Sequence, residues 1–182
     1  MDNVILLWIH TVFGSAAGDA AFPVITALGN AGAVWIALGV ALLISPKYRF
    51  WGMVLLASLA VVFVLNELLL KSLIARERPF VTDPTIQLLI TAPSGYSFPS
   101  GHAGSSFAAA TVIACMPIRK RWKAAAWLLA VLIAISRTYL FVHYPSDILV
   151  GALLGVLYGL VVVKVALRVR AKREGPSGGE AC

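Results

Sequence analysis

The sequence predicts an all-α fold, a polytopic transmembrane helix bundle of five spans preceded by an N-terminal interfacial helix. Three observations carry this. The 182 residues are 60% hydrophobic, with a mean hydropathy of +0.89. Only 13% are charged, about half the usual share. Apolar runs of spanning length recur along the chain. A water-soluble domain of this size has no interior that could hide so much apolar surface, so lipid is the solvent. The same composition excludes disorder outside the tail. Two cysteines, Cys115 within an apolar run and Cys182 at the end, are poorly placed to pair and exclude a disulfide scaffold.

Residues 4–17 form an apolar run that carries His10 and Thr11 and falls short of the roughly 20 residues a span needs. A helix here sets Ile5, Ile9, Val12, Phe13 and Ala16 on one side and Asn3, His10 and Gly14 on the other. That is the pattern of an interfacial helix, with His10 on its polar surface. A short sixth span is the alternative, so 1–18 stands apart as an N-terminal helix. The first positive charge is Lys47, so no basic segment of a cleaved signal peptide is present. The runs 22–44, 50–70, 101–118, 124–142 and 147–167 are the five spans of one domain, 19–170. The remainder, 171–182, reads as a disordered cytoplasmic tail. Gly151, Gly155 and Gly159 form a small-residue stripe on the last span. It suits packing within the bundle, with homodimerisation as the sharper reading. Trp51, Trp122 and Tyr144 fit interfacial belts.

The charges orient the spans. Lys47 and Arg49, then Arg119, Lys120, Arg121 and Lys123, then Lys164, Arg168, Arg170, Lys172 and Arg173 all fall on one side if the five spans alternate. That side is cytoplasmic. The net charge of +7 is therefore mostly topology and gives no reason to invoke a nucleic-acid partner. Lys71, Arg76, Arg78 and Arg137 lie at the opposite, outer face, against the orientation rule, and mark a functional site.

Three clusters meet at that face. Lys71, Arg78 and Pro79 end the second span. Pro99, Ser100, Gly101 and His102 open the third. Ser136, Arg137, His143 and Asp147 join the fourth and fifth. Three fixed cations, two of them planar guanidinium forks, suit phosphate oxygens. Gly101 admits close backbone approach, and the helix starting there points free N–H groups outward. His143 with Asp147 looks like a base and its orienter, which leaves His102 as a proton donor. A nucleophile, an acid and an anion clamp together point to phosphoryl transfer. The segment 80–98 is longer than a simple connector. Its apolar patch Ile86, Leu88, Leu89 and Ile90 is expected to dip into the outer leaflet, with ordinary packing as the alternative.

In order and spacing, these clusters resemble the signature of the type 2 phosphatidic acid phosphatase superfamily, which also includes vanadium haloperoxidases and bacterial acid phosphatases. The pattern is Lys-x6-Arg-Pro, Pro-Ser-Gly-His, then Ser-Arg-x5-His-x3-Asp, and every motif position is matched. The resemblance implies that His143 attacks phosphorus to form phosphohistidine and that Asp147 orients it. It implies that His102 protonates the leaving oxygen and later helps water attack. Lys71, Arg78, Ser100, Gly101 and Arg137 would hold the phosphate oxygens, with no cofactor and no metal. The substrate class implied is a lipid phosphate or diphosphate at the outer face of a bacterial inner membrane, undecaprenyl diphosphate first. Phosphatidylglycerophosphate, phosphatidic acid and lipid A are alternatives, as is transfer of the phosphoryl group to another lipid. Two charges lie outside the pattern. Glu67, four residues before Lys71, reads as an ion-pair partner that positions the lysine. Arg76 matches no motif position and reads as an ordinary interfacial charge.

Overall fold

The computed structural model describes residues 2–83 and 85–174. Every regular element among them is helical. In order they are α1 (Asp2–Phe13), α2 (Ala16–Leu28), a 3-10 turn (Asn30–Gly32), α3 (Ala33–Ile44), α4 (Arg49–Val62), a π-helical stretch (Phe63–Leu70), α5 (Lys71–Ile74), α6 (Pro79–Thr82), α7 (Gly101–Cys115), α8 (Lys120–Tyr139) and α9 (Pro145–Glu174).

The organising helix is α7. Its sequence is rich in Ala, Gly and Ser, and Ala103, Gly104, Ser106 and Ala108 through Ile113 are all buried. Small side chains let α4, α8 and α9 close around it with backbones near one another, as membrane bundles require in the absence of a hydrophobic drive between helices. Trp35 of α3, Leu55 of α4, Val112 of α7 and Ile133 of α8 meet in the core. A polar contact joins α3 to α7 there: Trp35 Nε1 donates to Ser106 Oγ at 3.0 Å.

The glycine stripe of α9 faces α7 within the same chain. A Cβ at Gly151 would lie 2.6 Å from the Ser100 carbonyl oxygen, and one at Gly159 would lie 3.0 Å from that of Ala108. A Cβ at Gly155 would run into the Gly104 carbonyl. The stripe is therefore spent on packing inside the bundle, which leaves dimerisation through these glycines no free face. The opposite side of α9, with Leu149, Leu153, Leu157 and Leu160, is exposed and suits lipid.

Several sequence expectations change. The run 22–44 is not one helix. It breaks at Gly29–Gly32, where Ala31 and Gly32 both take positive φ, +50° and +69°. By length and apolarity, two helical stretches could cross a membrane, Arg49–Thr82 and Pro145–Arg173. There are three if α1 and α2, bent by 118°, count as one. Length and apolarity alone thus mark two or three of the five expected spans. Here α3 and α7 are short, at 12 and 15 residues, and α8 opens on Lys-Arg-Trp-Lys. Helix α1 docks on the bundle by its N-terminal half and one edge. Leu6 is buried against Phe141 and Tyr144, and the His10 ring stacks 4.7 Å from Phe141, while Ile5, Val12 and Phe13 are exposed. Trp51 and Tyr144 are buried in the bundle and do not form a belt, whereas Trp122 is exposed. Helix α9 runs on to Glu174, and the rest of the expected tail, 175–182, lies outside the described residues.

The α7–α9 contact yields a test. Gly155→Val should overpack it and cost about 1–3 kcal/mol. Leu153→Val, on the lipid side, should stay within about 0.5 kcal/mol. Melting in detergent followed by circular dichroism checks this, and equal melting of the two variants would contradict the packing.

Candidate active site

The site sits at one end of the bundle, where α5, the N-termini of α7 and α9, and the C-termini of α2 and α8 converge. The turn after α8 forms it locally. Phe141 takes φ +55°, a left-handed conformation costing about 1–2 kcal/mol for a non-glycine residue. The sharp turn lets both Val142 N and His143 N donate to the Arg137 carbonyl, at 3.1 and 3.3 Å. His143 is thereby folded back under the end of α8. Pro145 then opens α9, and Asp147, at its third position, accepts a hydrogen bond from Tyr144 N at 2.9 Å. This is the reciprocal half of a capping box.

His143 is 2% exposed and Asp147 fully buried. His143 Nδ1 lies 3.6 Å from Asp147 Oδ2, close but beyond hydrogen-bond distance, and makes no other bond. Catalytic hydrogen bonds are often this long before substrate binds. The other ring nitrogen, Nε2, lies 3.3 Å from Arg78 Nη1. A guanidinium only donates, so Nε2 presents its lone pair there and the proton belongs on Nδ1, toward Asp147. Burial pushes the His143 imidazole down to about 3; the Arg137 and Arg78 guanidiniums push the same way, and Asp147 opposes them. The ring is accordingly a neutral base or nucleophile.

The cations are held from several elements. Arg78 is buried, and its guanidinium donates to the carbonyls of Ser94, Gly95 and Val142 at 3.1, 2.9 and 2.8 Å. It thus ties the 80–98 segment to the His143 turn. Arg137 Nη1 donates to Thr26 Oγ1 at 2.7 Å, while its buried Nε has no partner. Lys71 pairs with Glu67 at 2.6 Å, the ion pair the helix spacing predicts. The π-helical turn immediately before Lys71 aims this pair at Gly101, where a Cβ would strike the Glu67 carboxylate. Ser100 caps α7, its Oγ accepting from Ala103 N at 3.4 Å, and its own N–H donates to the Asp147 carbonyl at 3.1 Å. His102 Nε2 lies 3.1 Å from Asn30 Oδ1, so the Asn30 side-chain amide holds the His102 ring by this nitrogen. The close approach depends on Gly29, where a Cβ would lie 2.7 Å from the His102 ring.

His102 and Arg137 open onto a cavity of about 600 Å³ walled by Pro23, Thr26, Asn30 and the 89–93 segment. In that segment Leu89 is exposed, but Ile86, Leu88 and Ile90 pack against the bundle through Leu6, Phe22, Tyr139 and Tyr144. The apolar patch is therefore largely a wall of the site. Sequence reasoning missed Thr26, Asn30, Ser97 and Arg76. Ser97 Oγ donates to Asp147 Oδ2, and Arg76 Nη1 donates to Asp147 Oδ1 at 2.6 Å. Single polar residues within or beside apolar runs were the available signal for the first three. For Arg76 the signal was a charge on the wrong side of the membrane. Among the described residues no group of three or more His, Cys, Asp or Glu side chains could hold a metal ion. The arrangement brings to one end of the bundle a buried neutral imidazole, a second imidazole and three cations, Lys71, Arg78 and Arg137.

A family model described as the PAP2 superfamily matches residues 51–171. The undecaprenyl-diphosphatase of Sulfolobus acidocaldarius is 38% identical over 138 residues, 72% of this chain and 63% of the relative. The decaprenylphosphoryl-5-phosphoribose phosphatase of Mycobacterium tuberculosis is 40% identical over 97 residues, 53% of this chain and 51% of the relative. The chain thus spans less than two thirds of either curated relative. The crystal structure of Aquifex aeolicus LpxE superimposes with a TM-score of 0.72 at 28% identity, covering 90% of this chain and 94% of that one.

The protonation state of His143 is open to measurement. With its imidazole lowered to about 3, the ligand-free ring stays neutral at pH 5, where an unperturbed histidine is mostly charged. Folding is then favoured at neutral pH and weakened as pH falls below about 6.5, where the unfolded chain takes up the proton. Nitrogen-15 shifts of histidine-labelled protein, assigned with His143→Asn, should show a neutral ring at pH 5. An imidazolium signal there would contradict the site as described.

Proposed function

Because the chain belongs to the PAP2 superfamily, we propose that it is an integral-membrane lipid phosphatase. It hydrolyses the phosphate or diphosphate of a membrane lipid at the outer face of a bacterial inner membrane, with no metal. The observation that carries this is the buried His143, flanked by Asp147 and Arg78, at the end of the bundle where His102 and Arg137 line a cavity. His143 Nε2 attacks phosphorus in line with the leaving oxygen. The P–O bond breaks as His102 gives that oxygen a proton, and the phosphoryl group stays on Nε2. Water then attacks phosphorus, His102 takes its proton, and the P–N bond breaks to release phosphate. The Nδ1 proton remains between His143 and Asp147 throughout. Lys71, Arg78, Arg137, Ser100 and the backbone N–H of Gly101 hold the non-bridging oxygens, where fixed donors favour the charge that develops in transfer.

The membrane setting follows from charge. The basic groups at the α3–α4 turn, the α7–α8 turn and the end of α9 all sit at the end of the bundle opposite the site. That supports five crossings, a cytoplasmic C-terminus and an outward site. Undecaprenyl diphosphate is the preferred substrate, supported by the name of the Sulfolobus relative. The site residues engage phosphate alone, so phosphatidylglycerophosphate, phosphatidic acid, lipid A and phosphoryl transfer to a second lipid use the same chemistry.

The test is phosphate release from a panel of purified lipid phosphates in detergent with EDTA present. Undecaprenyl diphosphate should turn over fastest. His143→Ala should be inactive on every substrate. His102→Ala should lose about 10²–10⁴-fold on lipid substrates and much less on a nitrophenyl ester, whose leaving oxygen needs no proton. Activity lost in EDTA and restored by magnesium, or an active His143→Ala protein, would overturn the proposal.

A further inference from the structure

Arg76 lies outside the motif positions yet joins three parts of the chain at the site. Its Nη1 donates to Asp147 Oδ1 at 2.6 Å and to Ser146 Oγ at 2.7 Å. Its Nη2 donates to Asp2 Oδ2 at 2.7 Å, and Ser146 Oγ donates to that same oxygen at 2.6 Å. The guanidinium stacks 3.9 Å from the centroid of the Tyr144 ring, and the Arg76 carbonyl accepts from Ser97 N at 2.8 Å. The partners come from α1, from the start of α9 and from the segment leading into α7.

Asp147 shows what this achieves. A fully buried carboxylate must be compensated on both oxygens, or one remains an unpaired acceptor in a low-dielectric site. Oδ2 accepts from Ser97 Oγ and Tyr144 N and faces His143 Nδ1. Oδ1 is the oxygen Arg76 takes. Two charge-assisted contacts at the two ends of one planar guanidinium fix both the carboxylate and the arginine. An exposed surface pair would do neither, but here the carboxylate is buried and the arginine is covered by Tyr144. A phosphate-binding role for Arg76 is disfavoured, because its charge is already paired with two carboxylates, Asp2 and Asp147, whereas Arg78 donates only to carbonyls and faces the His143 ring. Leu6, buried against Phe141 and Tyr144, seats α1 so that Asp2 reaches the outer side of the guanidinium.

We infer that Arg76, braced by Asp2 of α1, is the positioning residue that holds Asp147 in register with His143, so that α1 is a working part of the active site. This rests on the reading of His143 and Asp147 given above. Arg76 never touches substrate. Its effect reaches phosphorus through Asp147 and then His143, at the step in which the imidazole must keep its Nδ1 proton directed at Oδ2 while Nε2 attacks.

Steady-state kinetics on dioctanoyl phosphatidic acid in detergent test this with the full chain. Arg76→Ala should lower kcat about ten- to a hundredfold, as misplacement of a reacting group does, and leave KM within about threefold. Arg76→Lys should recover part of the loss, and added guanidinium should raise kcat of Arg76→Ala but not of Asp147→Asn. Asp2→Asn should lower kcat less, and the Asp2→Asn, Arg76→Ala double variant should match Arg76→Ala alone. Unchanged kcat in Arg76→Ala, beside inactive His143→Ala and Asp147→Asn, would overturn the inference and leave the phosphatase reading standing. A loss confined to KM would make Arg76 a phosphate ligand instead. Additive losses for Asp2 and Arg76 would remove α1 from the account. If Arg76→Ala fails to fold, Arg76→Lys and Asp2→Asn decide the matter by the same kcat and KM criteria. An active His143→Ala would defeat the underlying reading, a result distinct from all of these.

Discussion

The structure depends on compensating one buried carboxylate. Asp147 has no exposed surface, and a bare charge there would cost several kcal/mol. The chain meets this with donors from separate places: the Ser97 hydroxyl, the Tyr144 amide and the Arg76 guanidinium. Its backbone carbonyl adds a fourth tie, accepting from Ser100 N. Satisfying Asp147 therefore fixes the segment before α7, the turn after α8, the start of α9 and the loop after α5 relative to one another. Those four pieces carry Arg78, Ser100 and His143, and they adjoin the helices that bear Lys71, Gly101, His102 and Arg137. The requirement that makes the fold hold together at this end also places His143.

The apolar part of the bundle makes such precision affordable. Close backbone approach between α7 and α9 comes from glycine facing small residues, so the two helix N-termini that bear Ser100, Gly101 and Asp147 cannot slide apart. Larger apolar side chains are pushed outward to the lipid side of α9. Helix α1 follows the same logic in reverse. Its polar end and Leu6 face the protein, and its remaining apolar residues face outward. Hydrophobicity thus sets which surfaces meet lipid, while a few buried polar contacts set register.

The convergence of Lys71, Arg78, Ser100, His102, Arg137, His143 and Asp147 at one end of the bundle was legible in the sequence, because their clusters sit at helix ends that alternation of the helices brings together. His143 and Asp147, four apart, come to the same face of one turn, and Glu67 with Lys71 does so too. The helical class and the membrane setting were legible from composition. What stayed hidden was whatever depended on distant partners. Thr26 meets Arg137, Asn30 meets His102 and Asp2 meets Arg76 across separations no local pattern reports. The break at Gly29–Gly32 was missed because hydropathy registers composition and not backbone dihedrals, although the Gly-Asn-Ala-Gly string carried a turn signal. The docking of α1 through Leu6 was not legible because a helical wheel does not say which side meets protein and which meets lipid.

The central claim is that His143 carries the phosphoryl group. Rapid acid-free quench of the enzyme with a phosphorus-32-labelled lipid phosphate, followed by peptide mapping, tests it directly. The expected result is an acid-labile, base-stable label on the peptide containing His143, absent in His143→Ala. A label on His102, or turnover in His143→Ala, would contradict it.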